Sequence, residues 1–202
     1  MKILFVIAME KEAKRIVEKL GLDKAADNDL EIYKRNNISL LITGIGKQRV
    51  AINLTRYLEK MGKPDLIINI GYAGSTNSKI GNWVQIDKSF NYEWEIPGEE
   101  KYTMPEYNKI ELFQELENVN KINCYTAESF VTKTNIDENV AFDMELHSIY
   151  IICCMYNIKL ISLKKISDSL SLDDYYKNLA QNNNIFELES GLEILKDSLN
   201  VN

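Results

Sequence analysis

The sequence predicts an α/β fold, with short apolar strands alternating with amphipathic helices around a parallel or mixed sheet. Three observations carry this. Lys2 to Ala8 (KILFVIA) is an apolar run of strand length, and it passes into Met9 to Leu20, where Met9, Ala13, Ile16, Val17 and Leu20 recur at helical spacing. Leu66 to Ile70 (LIINI) is apolar throughout, as a strand buried on both faces must be. Lys159 to Ile166 is a third strand, ending in Ser167-Asp168.

The other elements follow in chain order. Glu31 to Arg35 and Ile38 to Thr43 form a strand pair turned at Asn36-Asn37. Gly44-Ile45-Gly46 leads into a helix from Lys47 to Met61, and Pro64 separates it from the LIINI strand. Gly71-Tyr72-Ala73-Gly74-Ser75 follows that strand at once, and Trp83 to Ile86 reads as a short strand. Asn91 to Asn118 is the least regular stretch, with one helix expected near Ile110 to Leu116. Ile122 to Val131 is expected as a strand carrying Ser129 and Phe130. Ala141 to Met144 reads as a strand entering a helix from Glu145 to Tyr156, and two helices, Leu172 to Gln181 and Ile185 to Ser198, finish the chain. No repeat, low-complexity tract or linker interrupts it, so one domain over residues 1–202 is expected.

With 45% hydrophobic and 27% charged residues, the composition is that of a globular protein. A net charge of −6 gives no basic surface for nucleic acid. The opening apolar run is a strand ended by Glu10 and Glu12 and not a signal peptide, and Ile149 to Tyr156 is too short to span a membrane. Three cysteines, two of them adjacent, make no disulfide framework, so a cytoplasmic compartment is expected. A single histidine, His147, and no Cys/His spacing argue against a metal site, and no cofactor is implied. The chemistry falls to carboxylates.

Three acids share one placement. Glu12, Glu145 and Asp168 each follow an apolar strand, and open α/β sheets bind ligands at the carboxyl ends of strands. Without metal-like spacing, such carboxylates suit acid/base work or hydroxyl recognition. Each also has a plain reading: acids favour the first turn of a helix, and Ser-Asp before a helix makes a good cap.

The strings Ala8-Met9-Glu10-Lys11-Glu12, Gly44-Ile45-Gly46-Lys47, Gly71-Tyr72-Ala73-Gly74, Asp143-Met144-Glu145 and Ile166-Ser167-Asp168 together resemble the ordered motifs of one family, the 5′-methylthioadenosine/S-adenosylhomocysteine nucleosidases within the nucleoside phosphorylase superfamily. The likeness runs from residue 1 to about residue 180. It implies a nucleoside phosphorylase-like fold, a three-layer domain with a central mixed β-sheet flanked by helices. It implies hydrolysis of a purine nucleoside, 5′-methylthioadenosine or S-adenosylhomocysteine, with release of adenine, and a homodimer. By this resemblance Asp168, beside Ser167, protonates purine N7, Glu12 activates the attacking water, and Glu145 receives the ribose hydroxyls. Met144 packs beneath the ribose, Phe130 stacks on the purine, the Val131 backbone reads the base edge, and Met9, Ile45 and Gly74 lie around the sugar. Core packing is the competing reading for Met9, Ile45 and Phe130. His147, two residues beyond Glu145 on one helix, shares no face with it and reads as a packed or solvated residue.

Two positions depart from the family pattern. Tyr72 stands where the family has a small Ser or Thr, and Lys164 where it has Arg, keeping the charge but losing the planar fork. The stretch from Asn91 to Tyr107 and the segment after Asp168 are shortened, and Leu172 replaces a Phe. Two other readings stand beside the hydrolase. One is a phosphorylase, for which Lys11, Lys47 and Lys164 are the candidate phosphate ligands. The other is a degenerate member that binds a nucleoside without cleaving it.

Overall fold

A computed structural model describes residues 1–107, 115–180 and 187–199. Strand β1 (Ile3–Ile7) is buried at every residue and runs into helix α1 (Glu10–Leu20). Strands β2 (Asp23–Lys24), β3 (Glu31–Arg35) and β4 (Ile38–Ile42) follow, β3 and β4 pairing antiparallel around Asn36, which adopts φ +53° in the turn. Two-residue turns of this hand favour Asn, which tolerates positive φ. Helix α2 (Lys47–Met61) leads to β5 (Leu66–Ser75) and β6 (Trp83–Asn91). Then come β7 (Lys121–Thr126), β8 (Val140–Asp143), α3 (Leu146–Tyr156), β9 (Lys159–Asp168), α4 (Leu172–Ala180) and α5 (Gly191–Leu199).

All nine described strands form one mixed sheet, in the order β2-β3-β4-β1-β5-β8-β7-β6-β9, and β9 also pairs with β5. Strands β5, β8, β7, β6 and β9 therefore close on one another, while β4, β3 and β2 extend the sheet beyond β1. Helices flank both faces, as expected. Leu4, Val6 and Ile67 point to the side where α2 and α3 pack, and Ile3, Phe5, Ile7, Ile68 and Ile161 point to the side of α1 and α5. This alternation is the period of two that pleating imposes.

Several elements differ from the sequence reading. Strand β5 continues through Gly71-Tyr72-Ala73-Gly74-Ser75, because β9 pairs along its length and β8 takes its far end. Strand β6 extends beyond Ile86 to Asn91 because β7 supplies a parallel partner there. Strand β7 stops at Thr126, so Ser129 and Phe130 lie on the loop after it. The two-residue β2 carries no apolar signal, since both its residues are exposed. The last helix begins at Gly191, after a short 3-10 turn at Leu188–Ser190. Most of the helix expected near Ile110 to Leu116 lies outside the described residues, as does the chain around Ile185.

Register places the site. Opposite Ala73 lies Ile166, but opposite Gly74 lies Asp168, so Ser167 is an extra residue in β9. A bulge re-aims the side chains that follow it. Ser167 and Asp168, which would otherwise point to opposite faces, both reach the same cleft.

Candidate active site

The cleft, open to solvent, spans about 530 Å³ and is lined by Met9, Glu12, Ile45, Tyr72, Gly74 and Phe130 on one part of its wall. Asp143, Met144, Glu145, Ser167, Asp168 and Tyr175 complete it, with Ala8, Ala73 and Phe142 between them. A smaller chamber of about 260 Å³ shares Gly74, Phe130 and Asp168 with it and adds Ser129, Val131 and Leu170. Of the residues singled out in the sequence, eleven line these two chambers and Lys164 stands behind them.

Glu12 shows that the plain and the functional readings of an acid are compatible. Its Oε2 accepts the Met9 N–H at 3.0 Å, closing the first turn of α1 as a capping residue does. The backbone N–H of Tyr72 also donates to it. Two oxygens offer about four lone-pair sites, so capacity for a further donor remains. Glu12 is only 5% exposed. Burial pushes its carboxyl up from 4.5 to about 7, while Lys164 and the Met9 and Tyr72 N–H groups pull the other way. A carboxyl in that range takes and returns a proton near neutral pH.

Glu145 follows a strand of opposite sense to β1, β5 and β9. Strand β8 runs antiparallel to β5, so its end returns along β5 and brings Glu145 into the cleft from the opposite direction. Its Oε1 accepts the Gly46 N–H at 2.9 Å. Gly46 has φ +99°, a backbone that disfavours any side chain, so the turn before α2 needs glycine to present that N–H. Burial, and then the neighbouring Asp143, raise Glu145 to about 7.

Asp168 ends β9 beside the bulge. Its Oδ1 accepts the Leu170 N–H at 3.0 Å, and its Oδ2 lies 2.8 Å from the Ser167 hydroxyl. That hydroxyl also lies 3.3 Å from the Ala73 carbonyl. The hydroxyl donates to Oδ2, and this bond, like the N–H groups of Leu170 and Ser171, favours the charged carboxylate. Burial outweighs them and raises the Asp168 carboxyl above the usual carboxylate range. Opposite, a Cβ on Gly74 would stand 2.6 Å from Oδ1, so glycine there makes room for the acid.

Lys164 stands within the protein, fully buried, with Nζ 2.7 Å from Asp143 Oδ2. Burial opposes its charge, but Asp143, Cys124 and Glu145 outweigh it and raise Lys164 above the usual lysine range. A Cβ on Gly71 would lie 3.7 Å from both Lys164 Nζ and Glu12 Oε1, so the cation sits behind the carboxylates and offsets their repulsion. Asp143 enters the sequence reading only as part of a motif. It also accepts the Thr126 hydroxyl at 2.6 Å and the Leu146 N–H at 2.9 Å, which makes it the hub beneath the cleft. A carboxylate closing the apolar strand Val-Ala-Phe-Asp was the available signal. Tyr175, on α4, was also missed; its ring packs 5.6 Å from Phe130.

Of the two plain readings of His147 the structure takes the packed one: it is buried, with Nδ1 3.3 Å from Ser89 Oγ, and it lies outside the cleft lining. Burial and the charge of Lys47 push it down to about 4, so it is neutral. Among the described residues no cluster of three or more His, Cys, Asp or Glu could hold a metal ion, and no helix is long and apolar enough to cross a membrane.

This geometry has relatives. The model of the phosphorylase superfamily matches residues 2–187. A 5′-methylthioadenosine/S-adenosylhomocysteine nucleosidase of Buchnera aphidicola subsp. Schizaphis graminum is 30% identical, the match covering 83% of this chain and 84% of the relative. Among solved structures, futalosine hydrolase of Helicobacter pylori superposes with a TM-score of 0.80 at 16% identity, over 98% of this chain and 97% of that one. The Neisseria meningitidis 5′-methylthioadenosine/S-adenosylhomocysteine nucleosidase in complex with methylthio-immucillin-A superposes with a TM-score of 0.78 at 18% identity, over 98% and 100%. At these identities the two structures speak for the fold.

Proposed function

The chain belongs to the 5′-methylthioadenosine/S-adenosylhomocysteine nucleosidase family of the phosphorylase superfamily, and on that premise we propose that it hydrolyses the N-glycosidic bond of a purine nucleoside. The substrate class is adenosine substituted at the 5′ position, 5′-methylthioadenosine or S-adenosylhomocysteine, as the names of the relatives suggest. The observation that carries the proposal is the meeting of Glu12, Glu145 and Asp168 on one cleft beside Phe130.

In this mechanism the bond between the sugar C1′ and the purine nitrogen breaks, its electron pair leaving with the base. Asp168 delivers a proton to purine N7, so adenine departs neutral. The ribosyl centre becomes cationic, and the negative charge of Glu145, which also receives the ribose hydroxyls, favours it. Water adds to C1′ as Glu12 takes its proton, giving free sugar and adenine. Phe130 and Tyr175 wall the base, the Val131 backbone reads its edge, and Met9, Ile45, Tyr72 and Met144 surround the sugar.

Phosphate is a poor alternative nucleophile here. No Lys or Arg is among the described residues lining either chamber. Lys164 is held by Asp143, and Lys47 by Glu93 and Glu128. An incoming anion would meet carboxylates instead of an anion site. The three cysteines are free and buried, which supports a cytoplasmic setting. A homodimer, implied by the resemblance, belongs to the same proposal and is read by sedimentation.

The test is chromatography of products from 5′-methylthioadenosine, S-adenosylhomocysteine, adenosine and inosine, with and without phosphate. Adenine and free sugar are expected without phosphate. Strict phosphate dependence would mean a phosphorylase, and tight nucleoside binding with no adenine released would mean a binding protein. A second expectation concerns Gly74→Ala. The new methyl must displace Asp168, and misplacement by about an ångström costs on the order of a hundredfold in rate. Steady-state kinetics with an unchanged circular dichroism spectrum checks it; an undiminished kcat would remove Asp168 as the acid.

A further inference from the structure

Three segments that are far apart in sequence meet on one ammonium, that of Lys47, two residues beyond Ile45 of the cleft wall. Lys47 Nζ lies 2.8 Å from Asn91 Oδ1 and 2.6 Å from Glu93 Oε2, both at or just beyond the end of β6. It lies 3.2 Å from Glu128 Oε1, on the loop after β7. The lysine side chain is only 11% exposed, although Glu93 and Glu128 are 42% and 54% exposed. Glu93 uses its other oxygen to accept the Glu128 N–H at 2.8 Å. Asn91 and Glu93 accept hydrogen bonds from the ammonium, and Glu128, from a separate segment, adds a second carboxylate to its ion pairing.

What those segments carry matters. Glu128 stands immediately before Ser129-Phe130-Val131, which line the smaller chamber. Lys47 stands immediately after Gly46, whose N–H supports Glu145, and after Ile45 on the cleft wall. One cation thus ties the loop at the purine end to the turn that supports the carboxylate at the ribose end.

We propose that Lys47 is a positioning residue that couples purine capture to the placement of Glu145. The proposal rests on the nucleosidase reading above for its substrate, but its geometry is independent of that reading. Without the ammonium, Glu93 and Glu128 face each other as like charges across the Glu128 N–H bond, and their repulsion drives the Phe130 loop outward. The turn at Gly46 loses its anchor in the same step.

The experiment measures adenine affinity by calorimetry and kcat by adenine release, with thermal melting as the control for folding. Lys47→Met is expected to weaken adenine about tenfold and to lower kcat about tenfold, the scale of losing hydrogen bonds to charged groups. Lys47→Arg should recover most of both. Glu128→Gln, at an exposed position where folding is not at stake, should weaken adenine with a smaller loss in kcat, because Gly46 keeps its anchor. Lys47→Met combined with Glu128→Gln should bind adenine better than Lys47→Met alone, since the like-charge contact is gone. Unchanged adenine affinity in Lys47→Met, equal effects of Met and Arg, or a double variant worse than the single would each overturn the proposal. A wild type that binds adenine but releases none from nucleosides would overturn the hydrolase reading and leave the affinity series to decide on Lys47. A wild type that does not bind adenine would overturn both.

Discussion

Asp168→Asn is expected to stop adenine release, lowering kcat by about 10²–10⁴-fold, the range general acids contribute. The amide is isosteric with the acid, and its oxygen can still accept the Leu170 N–H that Asp168 Oδ1 accepts at 3.0 Å. What it lacks is a proton to transfer to the base at this pH. Burial raises the Asp168 carboxyl against the opposing bonds from Ser167, Leu170 and Ser171, which favours holding that proton. The bulge aims the acid at the cleft and Gly74 leaves room for it, and neither feature depends on the ionisation being changed. Nucleoside affinity should therefore stay within a few-fold while turnover vanishes. Calorimetry beside a product assay separates the two. If the Asn variant turned over at near the wild-type rate, another group would have to be the acid.

Glu12→Gln is expected to lower kcat by a comparable factor, because an amide cannot take the proton of water. In the wild type, kcat/KM should fall as pH drops below about 7, where Glu12 becomes protonated. The same shift makes a stability prediction of definite sign. The folded-state value is raised above the unfolded one, so folding favours the protonated form. That contribution is fully present below pH 4.5 and is lost as pH rises to about 7. At about 1.4 kcal/mol for each tenfold change in proton affinity, the span amounts to roughly 3 kcal/mol. The amide of the Glu12→Gln variant does not titrate, and its oxygen keeps the bond to the Met9 N–H. The variant should melt at nearly the wild-type temperature at pH 4.5 and several degrees above it at pH 8. Melting curves across that range check this, and a constant offset would show that Glu12 is not the raised group. Glu145, also at about 7, leaves the variant with some pH dependence of its own.

The opposing demands on Glu12 explain why its plain reading looked adequate. A carboxylate in the first turn of a helix satisfies backbone N–H groups, and Glu12 does that for Met9. Its second role appears only when β5 brings Tyr72 and Gly71 alongside and β9 brings Lys164 behind. Lys164 shows the reverse. By the resemblance it stands where the family has Arg, and folding buries it in an ion pair with Asp143. A lysine inside an otherwise apolar strand must be paired if it is to be buried, but nothing in the spacing says that its partner lies on β8. Phe130 was expected on a strand and lies on a loop, because aromatic residues suit both a sheet and a cleft wall.

The sequence by itself determined the alternation of strands and helices and the positions of three acids, Glu12, Glu145 and Asp168, each just past or at the end of an apolar strand. These are local properties: the period of apolar residues and the residue type at a strand end are written in adjacent positions. The tertiary structure alone decided that β8 approaches antiparallel, that a bulge at Ser167 turns Asp168 into the cleft, and that Asp143 holds Lys164. It also brought Lys47 to Glu128 across some eighty residues of chain. Register and pairing are set by contacts between segments distant in sequence, and the burial that raises Glu12 and Glu145 exists only once those segments have closed around them.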